Sequence, residues 1–99
     1  MDERRLKGLM GICCRAGQAV FGEDGCMKLI RNGGCAILLT DSGISPAARE
    51  KYRSVCERHQ VLRTELREGL LEEATGRPGM AMAIRIGSLA EQVISCLKG

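Results

Sequence analysis

The sequence predicts an α/β fold in which a small sheet lies between two layers of helices. Amphipathic segments with helical spacing alternate with short, uninterrupted apolar runs. The chain has 99 residues, enough for one core and too few for a second domain. Aromatic residues make up 2% of it against 44% hydrophobic residues, so the core must be aliphatic, sulfur-rich and thin.

The first helix is expected from Asp2 to Cys14, where Leu6, Leu9, Met10, Cys13 and Cys14 repeat as one face of a 3.6-residue period. Gly8 and Gly11 inside it each cost about 1 kcal/mol relative to Ala, which suggests that another element packs closely there. Ala16-Gly17 supplies a C-terminal stop. After the apolar piece Ala19-Val20-Phe21, the acidic pair Glu23-Asp24 follows Gly22 at the start of a second helix, where negative charge suits the helix dipole. Cys26, Leu29 and Ile30 form its buried stripe, Lys28 and Arg31 fall on other faces, and Asn32-Gly33-Gly34 ends it.

Cys35 to Leu39 is apolar without alternation, as in a strand covered on both faces, and Thr40-Asp41-Ser42-Gly43 follows as a turn-forming cluster. Ser45-Pro46 is a helix-start pair, and the helix runs through Tyr52, Val55, Cys56 and His59. A short extended segment around Val61-Leu62-Arg63 leads to a further helix marked by Leu66, Leu70, Leu71 and Ala74 and closed by Gly76 and Pro78. Met80 to Ile84 reads as a second covered strand, with Met80 and Met82 as core filler. Leu89, Val93, Cys96 and Leu97 mark the last helix.

Lys and Arg number 15 against 12 Asp and Glu, a formal net charge of +3 that permits an anionic partner without demonstrating one. No run approaches the roughly 18 apolar residues of a membrane span. The opening Met-Asp-Glu-Arg-Arg-Leu-Lys resembles no secretory leader, so a cytoplasmic setting with free thiols is expected for the six cysteines. None of them forms a C-x2-C pair, so a metal site is not expected and core packing is favoured over redox or nucleophilic roles. His59, the single histidine, reads as a helix-end residue near solvent. The glycines between Gly17 and Gly25 match neither a dinucleotide-binding fingerprint nor a phosphate-binding loop.

Two polar, glycine-containing segments remain at element ends. The first is Gly22-Glu23-Asp24-Gly25-Cys26-Met27-Lys28, followed by Arg31. The second runs from Ala74 through Thr75, Gly76, Arg77, Pro78 and Gly79. Ordinary capping and a helix-to-strand turn explain them about as well as function does. The functional alternative is a helix N-terminus whose backbone N–H groups and dipole receive a phosphate, with Lys28, Arg31 and Arg77 adding charge.

In order, Gly11 to Gly17, Val20-Phe21-Gly22-Glu23-Asp24 with Lys28, Cys35 to Thr40, and Leu71 to Pro78 before a Met-Ala strand resemble the ribosomal L-seven-Ae / L-thirty-e family. The likeness is nearest to its small bacterial YlxQ-type members and covers about Leu6 to Leu97. The resemblance implies a three-layer α/β/α sandwich with a small mixed central sheet, and binding of structured RNA, typically at kink-turns. Gly22, Glu23, Asp24, Gly25 and Lys28 match the family's first RNA-contacting motif. Thr75, Gly76, Arg77, Pro78 and Gly79 belong to the loop that covers flipped-out bases. Asp24 stands where kink-turn binders have Asn, and an ionised carboxylate donates no hydrogen bond. Gly25 replaces a guanine-reading Glu, and Glu72 replaces the first Gly of the second stretch. Weakened kink-turn recognition is therefore expected, with a structured RNA, ribosomal RNA among the candidates, as partner.

The resulting expectation is a monomeric, non-catalytic RNA-binding protein without cofactor or small-molecule substrate. Two alternatives stand beside it: a protein-interaction module of the same fold, using the acidic residues Glu65, Glu68, Glu72 and Glu73, and a thiol-dependent enzyme.

Overall fold

A computed structural model of the protein describes all 99 residues. The elements run α1 (Glu3–Arg15), β1 (Ala19–Phe21), α2 (Glu23–Arg31), β2 (Cys35–Asp41), α3 (Pro46–Arg58), β3 (Leu62–Leu66), α4 (Leu70–Thr75), β4 (Ala81–Arg85) and α5 (Ser88–Lys98). The strands form one four-stranded sheet in the order β1-β4-β2-β3. β4 pairs antiparallel with both β1 and β2, whereas β2 and β3 run parallel across the α3 connection. The sheet is mixed, and helices cover both faces.

Alternation along the central strands divides the core into two. Ile37 and Leu39 of β2 and Met82 and Ile84 of β4 face α1, α4 and α5, where they meet Leu6, Met10, Leu70, Leu71 and Val93. Leu38, Ala81 and Ala83 face the other way, onto Cys26, Leu29 and Ile30 of α2 and Tyr52, Val55 and Cys56 of α3. Small alanines on that face let α2 lie close to β4. Five of the six cysteines are buried and Cys14 is half-buried, and all six are free thiols.

The helix ends follow their local sequences. Asp2 accepts from the Arg5 N–H at α1, and Ser45 accepts from the Ala48 N–H at α3 with Pro46 in the first turn. α1 closes with Gln18 N–H to Cys13 C=O at 2.9 Å and Gly17 N–H to Cys14 C=O at 3.2 Å, the paired bonds of a Schellman ending.

Four details differ from expectation. Leu66 belongs to β3, and α4 begins only at Leu70, because Gly69 between them takes a left-handed conformation (φ 87°) that interrupts any helix. Met80 precedes β4 and is 50% exposed, so only Met82 of the pair fills the core. Gly8 has no atom within 4 Å of where a Cβ would lie, whereas at Gly11 the Ala74 carbonyl is 3.4 Å away, so close packing explains one glycine and not the other. β2 continues through Thr40 and Asp41 instead of ending at Leu39. Asp41, buried, accepts from Gly43 N–H at 2.7 Å and Gly69 N–H at 2.9 Å, so its carboxylate ties the loop after β2 to the start of α4.

Candidate nucleic-acid interface

α2 begins differently from α1 and α3. Its N-cap is Gly22, with φ 86°, and no side chain caps the first turn. The N–H groups of Glu23, Asp24 and Gly25 therefore have no helical acceptor, and Cys26 N–H makes the first bond, to Gly22 C=O at 3.0 Å. Glu23 and Asp24 complement the positive end of the dipole there, and Glu23 is partly neutralised by Lys51 of α3 at 3.0 Å.

Pairing of β1 with β4 sets Phe21 opposite Met82 and so carries the α4–β4 loop to the start of α2. The guanidinium of Arg77 lies over the Phe21 ring, 4.4 Å from its centroid. Thr75 shapes the same loop, its hydroxyl donating to Leu71 C=O at 2.7 Å and accepting from Arg77 N–H at 3.2 Å. Gly76 makes the left-handed turn out of α4, and Pro78 and Gly79 continue as exposed loop. The two segments singled out in the sequence thus lie side by side.

Two hollows flank the start of α2. One, of about 690 Å³, is lined by Glu23, Asp24, Lys28, Arg31, Asn32 and Lys51 among others. It gathers Lys28 and Arg31, while Arg77 stays apart on Phe21. The other, of about 440 Å³, runs from Gly22 and Glu23 past Ile44 and Ser45 to Met80, with Tyr52 at its wall. Burial pushes the Tyr52 hydroxyl up to about 12, so it stays a neutral donor at physiological pH. The sequence did not assign Ile44, Tyr52 and Met80 to the site, and read Tyr52 and Met80 as core, because their place beside Gly22 depends on strand order and not on local spacing.

The acidic residues proposed for a protein contact are partly engaged within the chain. Glu65 pairs with Arg49 at 2.7 Å, and Glu73 pairs with Arg67 at 2.9 Å and Lys7 at 3.3 Å. Burial raises Cys13, Cys14 and Cys56, and lifts Cys26 and Cys35 to about 11.

No protein-family model matches the sequence, and no curated protein sequence matches it. The fold has solved counterparts. A protein of unknown function from Bacillus halodurans superposes with a TM-score of 0.89 at 18% identity, covering 96% of this chain and 98% of that one. A 15.5 kD RNA-binding protein from Giardia lamblia superposes with a TM-score of 0.77 at 12% identity, covering 96% of this chain and 86% of that one. At these identities the likeness establishes a shared fold.

Proposed function

We propose that the protein is a non-catalytic RNA-binding protein that uses the Gly22–Arg31 helix start and the Thr75–Gly79 loop as one surface. The observation that carries this is the stacking of Arg77 on Phe21, which fixes the second loop against the first. A backbone phosphate meets the uncapped N–H groups of α2, with Lys28 on the flank. A splayed base fits the hollow between Ile44 and Met80, and the exposed guanidinium of Arg77 offers a plane for stacking. The Giardia counterpart, itself described as RNA-binding, supports the choice of ligand.

Structured RNA is the proposed partner, ribosomal RNA among the candidates, with a monomer acting in the cytoplasm. Asp24 cannot donate to a base edge and Gly25 has no side chain to read one, so shape and phosphate contacts outweigh base readout. Those same two residues favour a second possibility, a protein-interaction module that keeps the fold without tight RNA binding.

Crosslinking and sequencing of RNA from the native host tests the proposal without presuming a target. Recovery of one structured RNA region is expected, and recovery of none above background refutes it. Lys28→Ala should then weaken binding across RNA sequences and flatten the salt dependence by about one unit. Affinity and salt slope equal to the unaltered protein would remove Lys28 from the surface.

A further inference from the structure

Beyond Gly25, α2 meets the β1–β4 edge of the sheet in a further hollow of about 230 Å³, lined by Val20, Gly25, Lys28, Leu29, Asn32 and Arg85. Its charge differs from that of its larger neighbour, which sets Glu23 and Asp24 among its cations. This one carries two cations, one carboxamide and no carboxylate. Neither cation is spent inside the molecule, since the ion pairs engage Lys7, Arg49, Lys51, Arg53 and Arg67.

Two further features suit an anion. Asn32 turns its carboxamide oxygen to Gly34 N–H at 2.9 Å, which leaves its NH2 group free to donate elsewhere. Gly25 adds no side chain to the lining, and α2 lies so close to β1 there that a Cβ would stand 2.8 Å from Val20 Cγ1. Lys28 lines both this hollow and the larger one, so a polyanion lying along α2 passes from one to the other over a shared cation.

Resting on the RNA binding proposed above, we infer that this hollow holds a backbone phosphate of the bound RNA, flanked by Arg85 and Lys28, with the Asn32 amide as neutral donor. Arg85 is thereby a binding residue, placed at the end of β4 and outside both loop segments. The hollow is shallow and its cations are exposed, so occupancy depends on a phosphate already tethered through neighbouring contacts.

Fluorescence anisotropy should be measured at several salt concentrations with a plain RNA hairpin and with one containing a kink-turn. Arg85→Gln is expected to weaken binding about five- to tenfold at 0.1 M salt and to reduce the salt slope by roughly 0.7 to 0.9, equally for both hairpins. Arg85→Lys should restore the slope, and Arg58→Gln at the far end of α3 should change neither quantity. In the unaltered protein, NMR signals of the Gly25 amide and the Arg85 side chain should shift on adding the hairpin, whatever the folding of any variant. Tight binding with an unchanged Arg85→Gln slope, or with both signals unmoved, overturns this inference and leaves RNA binding standing. Binding of neither hairpin by the unaltered protein overturns both.

Discussion

Arg77 and Phe21 are 56 residues apart in sequence, yet the guanidinium stands 4.4 Å from the centroid of the ring. Phe21 is the last residue of β1 and Arg77 lies just past α4, so this contact joins the turn into α2 with the loop into β4. At an exposed site such stacking contributes about 0.5 to 1 kcal/mol. Phe21→Leu and Arg77→Ala should each destabilise the protein modestly. A double-mutant cycle should give a coupling of that size, since the second change has nothing left to remove. A coupling indistinguishable from zero in urea titrations would mean that the loops are positioned independently.

Asp41 does comparable work between the loop after β2 and the start of α4, and its effect should be larger. Its two oxygens accept from Gly43 and Gly69, one on each flanking loop. Asp41→Asn keeps the shape but can turn only one acceptor toward these donors, so a loss of about 2 kcal/mol is expected. Amide exchange at both Gly43 and Gly69 should accelerate beyond what the global loss of stability explains. Unchanged exchange at both glycines would rule out the carboxylate as the tie.

The contrast between Gly8 and Gly11 gives opposite signs within one helix. Gly8 is exposed with open space around it, so Gly8→Ala should stabilise by about 0.5 to 1 kcal/mol through helix propensity alone. At Gly11, Ala74 C=O and Arg15 already crowd the Cβ position, so Gly11→Leu should force α1 and α4 apart and cost more than 1 kcal/mol. Thermal unfolding of the two variants checks both signs, and destabilisation by Gly8→Ala would show that α1 has a neighbour not accounted for by this packing.

Most elements were legible because their residues report on their own surroundings. The stripe of Leu6, Met10 and Cys13, the unbroken Cys35–Leu39 run and the Ser45-Pro46 start each fix local conformation without reference to the rest of the chain. Leu66 misled for a physical reason: its spacing to Leu70 satisfies a helix, but both reach the same core from a strand and a helix separated by Gly69. At the candidate site, Gly22 and Lys28 were visible as a helix start with a cation. Ile44, Tyr52, Met80 and Arg85 were not, since only the β1-β4-β2 order brings them to α2. The one signal for Arg85 was a lone cation closing a covered apolar strand.

Thiol labelling separates the binding protein from a thiol-dependent enzyme. Cys14 is the half-buried cysteine, and burial raises it despite the nearby charges of Arg77 and Arg15. In native protein at pH 7, only Cys14 should react with a thiol reagent, more slowly than a free cysteine, and the others should wait for unfolding. A single fast thiol with a depressed titration midpoint would favour the enzyme.

Acid should weaken the contact between α1 and α4 before it reaches the core. Arg67 sits between two carboxylates, bonding Glu3 at 2.7 Å and Glu73 at 2.9 Å, while Lys7 adds a second cation to Glu73. The Arg67 hydrogen bonds hold Glu73 down at about 2 and lower Glu3 as well. A carboxylate whose folded value lies below its unfolded one contributes stability that is complete above the unfolded value, near 4.5, and is lost as pH falls toward the folded value. The melting temperature should therefore decline between about pH 4.5 and pH 2, and Arg67→Met should flatten that decline while lowering the plateau at neutral pH. All four side chains are solvent-exposed, so the effect is small and should shrink further at 1 M salt. An acid profile of Arg67→Met parallel to that of the unaltered protein would assign the acid sensitivity to other carboxylates.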